Sequence, residues 1–347
     1  LGAFMFYPAK MTGEYYPFLI AYFILTCGLS FLETSSNPYI LSMGTEETAT
    51  RRLNLAQSFN PMGSLLGMYV AMNFIQAKLN PLDTASRADL TPAEFEAVKE
   101  YDLSVLIGPY LAIGLVILAM FVLILFWRMP KNGDKNHNID FVPTLRRIFA
   151  MPHYREGVIA QFFYVGVQIM CWTFIIQYGT RVLMADGMAE QAAEVTSQQY
   201  NILAMIIFCC SRFICTFLLR YVNTGRLLTV LAIVGGLLVV GVIGLQNIYG
   251  LYCLVGVSAC MSLMFPTIYG IALTGLGDDA KFGAAGLIMS ILGGSVLPPL
   301  QASIIDCGEL FGMPAVNVSF VLPFVCFVVI AIYGQRTYMR SKNKLNG

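Results

Sequence analysis

The sequence predicts an all-α, polytopic membrane protein, and three observations carry that prediction. Hydrophobic residues fill 57% of the 347 positions and charged residues only 12%. A water-soluble domain carries about 25% charged residues, so this chain has roughly half of what a water-facing surface needs. The apolar residues fall in long runs rather than in the short amphipathic patterns of a compact core. Lysine and arginine gather in every second connection between those runs. A formal net charge of +1 lacks the basic excess of a nucleic-acid binder, and the apolar content excludes a disordered chain.

A spanning helix needs about 20 mostly apolar residues, and the runs follow in order. The opening Leu1–Ala9 is apolar but too short to span. It has neither the basic region nor the cleavage site of a signal peptide, so it reads as the cut end of a span. Run 16–42 holds one acid, Glu33. Run 52–77 opens behind Arg51, carries Asn54, Gln57 and Asn60, and then shows Gly63 and Gly67, a G-x-x-x-G close-packing signal. Run 104–127 is almost wholly aliphatic and ends at Arg128. Run 155–184 is long enough to include interfacial helix, and run 197–220 contains Arg212. Runs 226–246 and 248–274 meet at Asn247. Run 282–306 is made bendable by Gly283, Gly286, Gly293, Gly294, Pro298 and Pro299, and run 316–338 leads into a basic tail. The expectation is nine full spans and a stub.

Connections alternate in charge. One set holds Arg51, Arg52, Arg128, Lys131, Lys135, Arg146, Arg147, Arg155, Arg220, Arg226, Lys281, Arg336, Arg340, Lys342 and Lys344, which is 15 basic residues; the other holds Lys10, Lys78, Arg87, Lys99 and Arg181, which is five. The richer side is cytoplasmic by the positive-inside rule, and the 78–103 loop is then outside. The connection 128–154 is polar, basic and proline-containing, and reads as a cytoplasmic linker. It divides residues 1–127, an N-terminal half, from residues 155–347, a C-terminal half of six helices with a basic tail. Two six-span halves would place about 70–90 further residues before Leu1.

Glu33 lies about ten residues from the cytoplasmic end of its run, hence about 15 Å deep. A charged carboxylate there costs about 3 kcal/mol. The neutral form is the cheaper one, and such a group can bind and release a proton as its access to water changes. The other reading is a structural carboxylate, bonded to a neighbouring helix or paired with Arg212. Asn37 follows one turn later, and Pro38 removes a backbone donor. Thr34, Ser35 and Ser36 serve either a polar-lined segment or ordinary helix packing. Asn54, Gln57, Asn60 and Ser64 recur at i, i+3, i+6 and i+10 and form one stripe on a helix. Amides both donate and accept, which suits the hydroxyls of a neutral sugar. Gln161, Tyr164, Gln168 and Trp172 make a second, polar-aromatic stripe. Tyr164 reads better as an interfacial or core aromatic, and Trp172 fits either a ring-stacking or a core role. Asn201 and Tyr269 are lesser candidates. The nine cysteines lie in or beside apolar runs without a C-x-x-C, and both histidines fall in one loop. No zinc site, other metal centre or disulfide framework is expected.

At these residues a family becomes recognisable. Leu32-Glu33-Thr34, Asn37-Pro38 and Arg52-Leu53-Asn54-Leu55-Ala56-Gln57-Ser58-Phe59-Asn60 resemble the fucose/galactose/glucose:proton symporter branch of the major facilitator superfamily. So do Ala160-Gln161-Phe162, Tyr164-Val165-Gly166, Cys171-Trp172 and Pro266-Thr267-Ile268. The likeness runs over essentially the whole chain, from the third family helix to the twelfth. It implies a twelve-helix carrier of the bacterial inner membrane with two six-helix halves, a central cavity and alternating access. Glu33 would be the proton-coupling carboxylate, and Gln57 and Asn60 sugar ligands. The acidic residue and Asn that the family places on its first helix precede this chain. Pro61 stands where the family leads one to expect a small polar residue.

The reading is proton-coupled import of L-fucose or a related hexose. The candidate sugar ligands are Asn37, Gln57, Asn60, Gln161, Gln168, Trp172 and Tyr269. The expected partners are the bilayer and a small sugar, with a monomeric carrier, a proton as coupling ion and no cofactor. The rivals are a glucose/galactose carrier of the same branch, a non-transporting sugar sensor and a membrane-embedded enzyme. The enzyme is disfavoured because no span pairs acids or holds a histidine.

Overall fold

The computed structural model describes residues 1–75, 78–80, 90–128, 141–310 and 312–346. Arg87, Lys131 and Lys135 of the basic count, and His137, one of the two histidines, lie outside them. Eight helices among the described residues are long and apolar enough to cross a membrane. They match eight of the nine runs, three of which (248–274, 282–306 and 316–338) span the membrane as two helices joined across a short break. The ninth, 52–77, is interrupted: α3 (Glu46–Gln57) stops, and α4 (Phe59–Val70) begins after one intervening residue, Ser58. Pro61 lacks the N–H that would continue the ladder, and the stripe predicted along one helix is thereby broken. A π-helical turn, Ala71–Ile75, follows.

The chain forms two compact units, Leu1–Glu33 with Gly63–Gly133 and Thr34–Met62 with Asp134–Gly347. In the first, α1 (Gly2–Thr12) and the start of α2 (Tyr15–Ser42) accompany α5 (Pro92–Phe126). Phe6 stacks on Tyr110 with centroids 4.0 Å apart. Helix α5 begins 12 residues before its apolar run because Thr91 and Glu94 form a capping box and Pro92 sits at the first helical position. Its second half, from Leu115 to Phe126, exposes a succession of large aliphatic and aromatic side chains, as a lipid-facing helix should.

The second unit is a bundle. Within the expected linker, α6 (Phe141–Ala150) is a helix that the sequence reading left as loop. It buries Ile148, and its Arg147 grips both carboxylate oxygens of Asp279 at 2.6 Å. There follow α7 (Pro152–Ala185), α8 (Glu190–Leu218), α9 (Thr224–Gly244), α10 (Ile248–Met261) and α11 (Met264–Leu273). Then come α12 (Ala280–Met289), α13 (Gly293–Ile305), α14 (Ala315–Ser319) and α15 (Val321–Asn346). A two-stranded antiparallel ribbon pairs Glu309–Leu310 with Met313–Pro314. The core gathers Tyr164, Met170, Tyr178, Leu228, Leu251 and Phe327.

Membrane helices gain nothing by hiding apolar surface from lipid, so they hold together through close van der Waals approach and hydrogen bonds. Gly293 permits such an approach, since a Cβ there would stand 2.0 Å from the Phe162 carbonyl oxygen. Asn223 caps α9 by accepting from the Gly225 and Arg226 amides. At the other end of α9, the Tyr178 hydroxyl reaches the carbonyls of Leu245 and Val242 at 2.7 and 3.1 Å. Glu156 of α7 accepts from Arg340 of α15 at 2.9 Å and forms an ion pair with Arg336 of the same helix at 3.2 Å.

Candidate functional site

Glu33 lies on α2 as the last residue of the first unit and is half-buried there. The remaining candidates belong to the second unit. Asn37, on the same helix, is 2% exposed and accepts from the Gln57 side-chain amide at 2.9 Å. Its own Nδ2 finds no acceptor among the described residues. Asn54 is buried and donates to the Thr50 carbonyl at 2.9 Å and to the Thr267 hydroxyl at 3.2 Å. It therefore ties α3 to α11, while Asn60, beyond the break, is exposed. The amides expected on one face thus take different surroundings.

On α7, Gln161 is 0% exposed, and neither atom of its amide has a partner among the described residues. Leaving such a group unpaired costs about 1–3 kcal/mol. Tyr164 is a core aromatic whose hydroxyl donates to the Met261 carbonyl at 3.1 Å. Gln168 is half-buried. Trp172 is half-buried too; its indole N–H reaches Ser258 at 3.3 Å, and its ring meets Phe208 edge-on at 4.9 Å. Tyr269 is fully buried, its ring nearly parallel to Phe265. Asn201 keeps a buried carbonyl oxygen without a donor among the described residues.

Two contributors escaped the sequence reading, and a third was given a different role. Ser258 and Thr267 give hydroxyls to Trp172 and Asn54, and only the Pro266-Thr267 pair hinted at either. Arg212, read from the sequence as a partner for Glu33, is a buried cation whose guanidinium instead donates to two main-chain carbonyls. Those acceptors are Ser262 at 2.6 Å and Gln57 at 2.9 Å.

Asn37, Gln161 and Asn201 thus keep buried amide atoms without a partner among the described residues, a chemistry that suits the hydroxyls of a neutral polar solute. Glu33 places a half-buried carboxylate partway along a membrane helix, where the charged form is costly. Fold and site together define a multi-pass helical membrane carrier. The Major Facilitator Superfamily family model matches residues 1–299, and the chain belongs to that superfamily. It is 49% identical to the L-fucose-proton symporter of Haemophilus influenzae over 97% of this chain and 78% of the relative. Identity to the L-fucose-proton symporter of Escherichia coli K12 is 29%, over 100% of this chain and 77% of that one. The crystal structure of a Major Facilitator Superfamily transporter, FucP, in the outward conformation superposes with a TM-score of 0.86 at 29% identity, covering 97% of this chain and 80% of that one.

Proposed function

We propose that this chain imports L-fucose together with a proton across the bacterial inner membrane, as a monomeric carrier without catalytic chemistry. The observation that carries the reading is the pair of buried, incompletely satisfied amides, Asn37 and Gln161, with the half-buried Gln57 bonded to the first, in a chain 49% identical to a relative named for that transport. Glu33 takes a proton from the outside and becomes neutral, which lowers the cost of moving it through the bilayer. The sugar hydroxyls then exchange hydrogen bonds with Asn37, Gln57 and Asn60 of the first half. Gln161 and Gln168 of the second half do the same, while Trp172 and Tyr269 cover the apolar ring face. Rocking of residues 1–127 against 155–347 about the 128–154 linker opens the site to the cytoplasm and releases both cargoes. A potential of about 100 mV contributes about 2.3 kcal/mol per charge, or roughly 50-fold accumulation.

The test is uptake of labelled L-fucose into energised proteoliposomes, in competition with a tenfold excess of unlabelled sugars. L-Fucose should compete fully and D-glucose and D-galactose weakly. Stronger competition by glucose or galactose overturns the choice of sugar. Sugar binding without flux would make the protein a sensor.

A further inference from the structure

Two helix breaks beside the site share one cause. A helical carbonyl is normally satisfied by the N–H four residues ahead. Four residues after Gln57 stands Pro61, and four after Ser262 stands Pro266; neither nitrogen carries a hydrogen. The regular ladder fails at both places, since α3 ends at Gln57 and α10 ends at Met261. An orphaned carbonyl inside a membrane protein has no bulk water to turn to.

Both orphans meet the same side chain. Arg212 of α8 donates from Nη1 to the Gln57 carbonyl at 2.9 Å and from Nε to the Ser262 carbonyl at 2.6 Å. The residue is 4% exposed and its guanidinium lies 4.6 Å from the Phe208 ring centroid, one turn earlier on the same helix. A planar fork with N–H groups on separate edges can bridge two acceptors, which a single ammonium does poorly. The two broken helices are also joined by the Asn54–Thr267 bond. They approach closely where a Cβ on Gly270 would stand 2.9 Å from the Thr50 hydroxyl.

We propose that Arg212 is a positioning residue that replaces the two backbone donors removed by Pro61 and Pro266. In doing so it fixes the directions in which Gln57 and Asn60, on either side of one break, and Thr267 and Tyr269, after the other, are presented. The consequence for sugar binding rests on the proposed function; the clamp itself does not.

The experiment is a cycle in the full chain, comparing wild type, Arg212→Gln, Arg212→Lys, the pair Pro61→Ala with Pro266→Ala, and that pair combined with Arg212→Gln. Melting temperature in detergent and half-saturation of L-fucose counterflow in proteoliposomes are measured for each. Arg212→Gln should lower the melting temperature and raise half-saturation at least tenfold, and Arg212→Lys should do little better. With both prolines replaced, the restored N–H groups should remove most of the melting penalty of Arg212→Gln. Equal penalties in the two backgrounds overturn the clamp, and so does full rescue by lysine, which would make charge alone the active feature. Where Arg212→Gln fails to fold, folding of the triple variant supports the proposal and its failure overturns it. Absence of L-fucose counterflow in wild type defeats the functional reading, while the melting cycle still decides the clamp.

Discussion

Glu33 and Gln161 pose opposite questions about a single side chain in an apolar setting. Glu33 is costly only while charged, so its neutral amide isostere should keep the carrier mobile and remove the coupling. Glu33→Gln should abolish uphill accumulation in energised vesicles while sugar counterflow persists. Accumulation that survives would remove Glu33 from the coupling step. Gln161 is costly in the empty protein because both ends of its amide lack partners. Gln161→Leu should therefore raise the melting temperature in detergent, by the order of 1 kcal/mol of stability, and weaken sugar binding at least tenfold. A variant that is less stable would show that the amide is already satisfied. Both residues stand out in the sequence by chemical type and depth. Nothing in the sequence said that Gln161 is unpartnered, because that depends on what the neighbouring helices bring to it.

The elements are held by main-chain accounting as much as by packing. The last carbonyls of α9 would be orphans, and Tyr178 and Asn317 supply the donors, with Asn317 reaching Val242 at 3.0 Å. Tyr178→Phe leaves the Leu245 carbonyl without this donor and should destabilise by about 1–2 kcal/mol, read as a lower melting temperature, with transport rate changed less than twofold. An unchanged melting temperature would mean that another group takes over the carbonyl. Span positions were largely legible at this scale, since eight apolar runs correspond to eight helices. The misjudged element was run 52–77. Its composition suits a span, and the amide stripe assumed an unbroken helix, yet Pro61 decided otherwise. Helix α6 was missed because prolines and charges in 128–154 read as loop, whereas its apolar face becomes useful only against α7 and α12.

At the scale of the whole molecule, orientation is the property most open to a direct check. The count of 15 basic residues against five places the connection between α13 and α14 outside. Cys307 lies there and is exposed. In intact cells it should react with a membrane-impermeant maleimide, and Cys307→Ala should remove that labelling. Protection of Cys307 until the cells are permeabilised would reverse the topology.

Composition, run lengths and the distribution of lysine and arginine were enough to establish a membrane protein, the position of most spans and the expected sidedness. Each depends on the transfer of whole segments between water and lipid, an energy that sums locally along the chain. The chain also declares which carbonyls will lack a donor, since Pro61 and Pro266 are visible in it. It cannot say what satisfies them. Gln57 and Arg212 are 155 positions apart, and Asn54 and Thr267 are 213 apart. A hydrogen bond acts only within about 3 Å, so only the tertiary structure could decide that one buried guanidinium closes both breaks, and that Gln161 is left open.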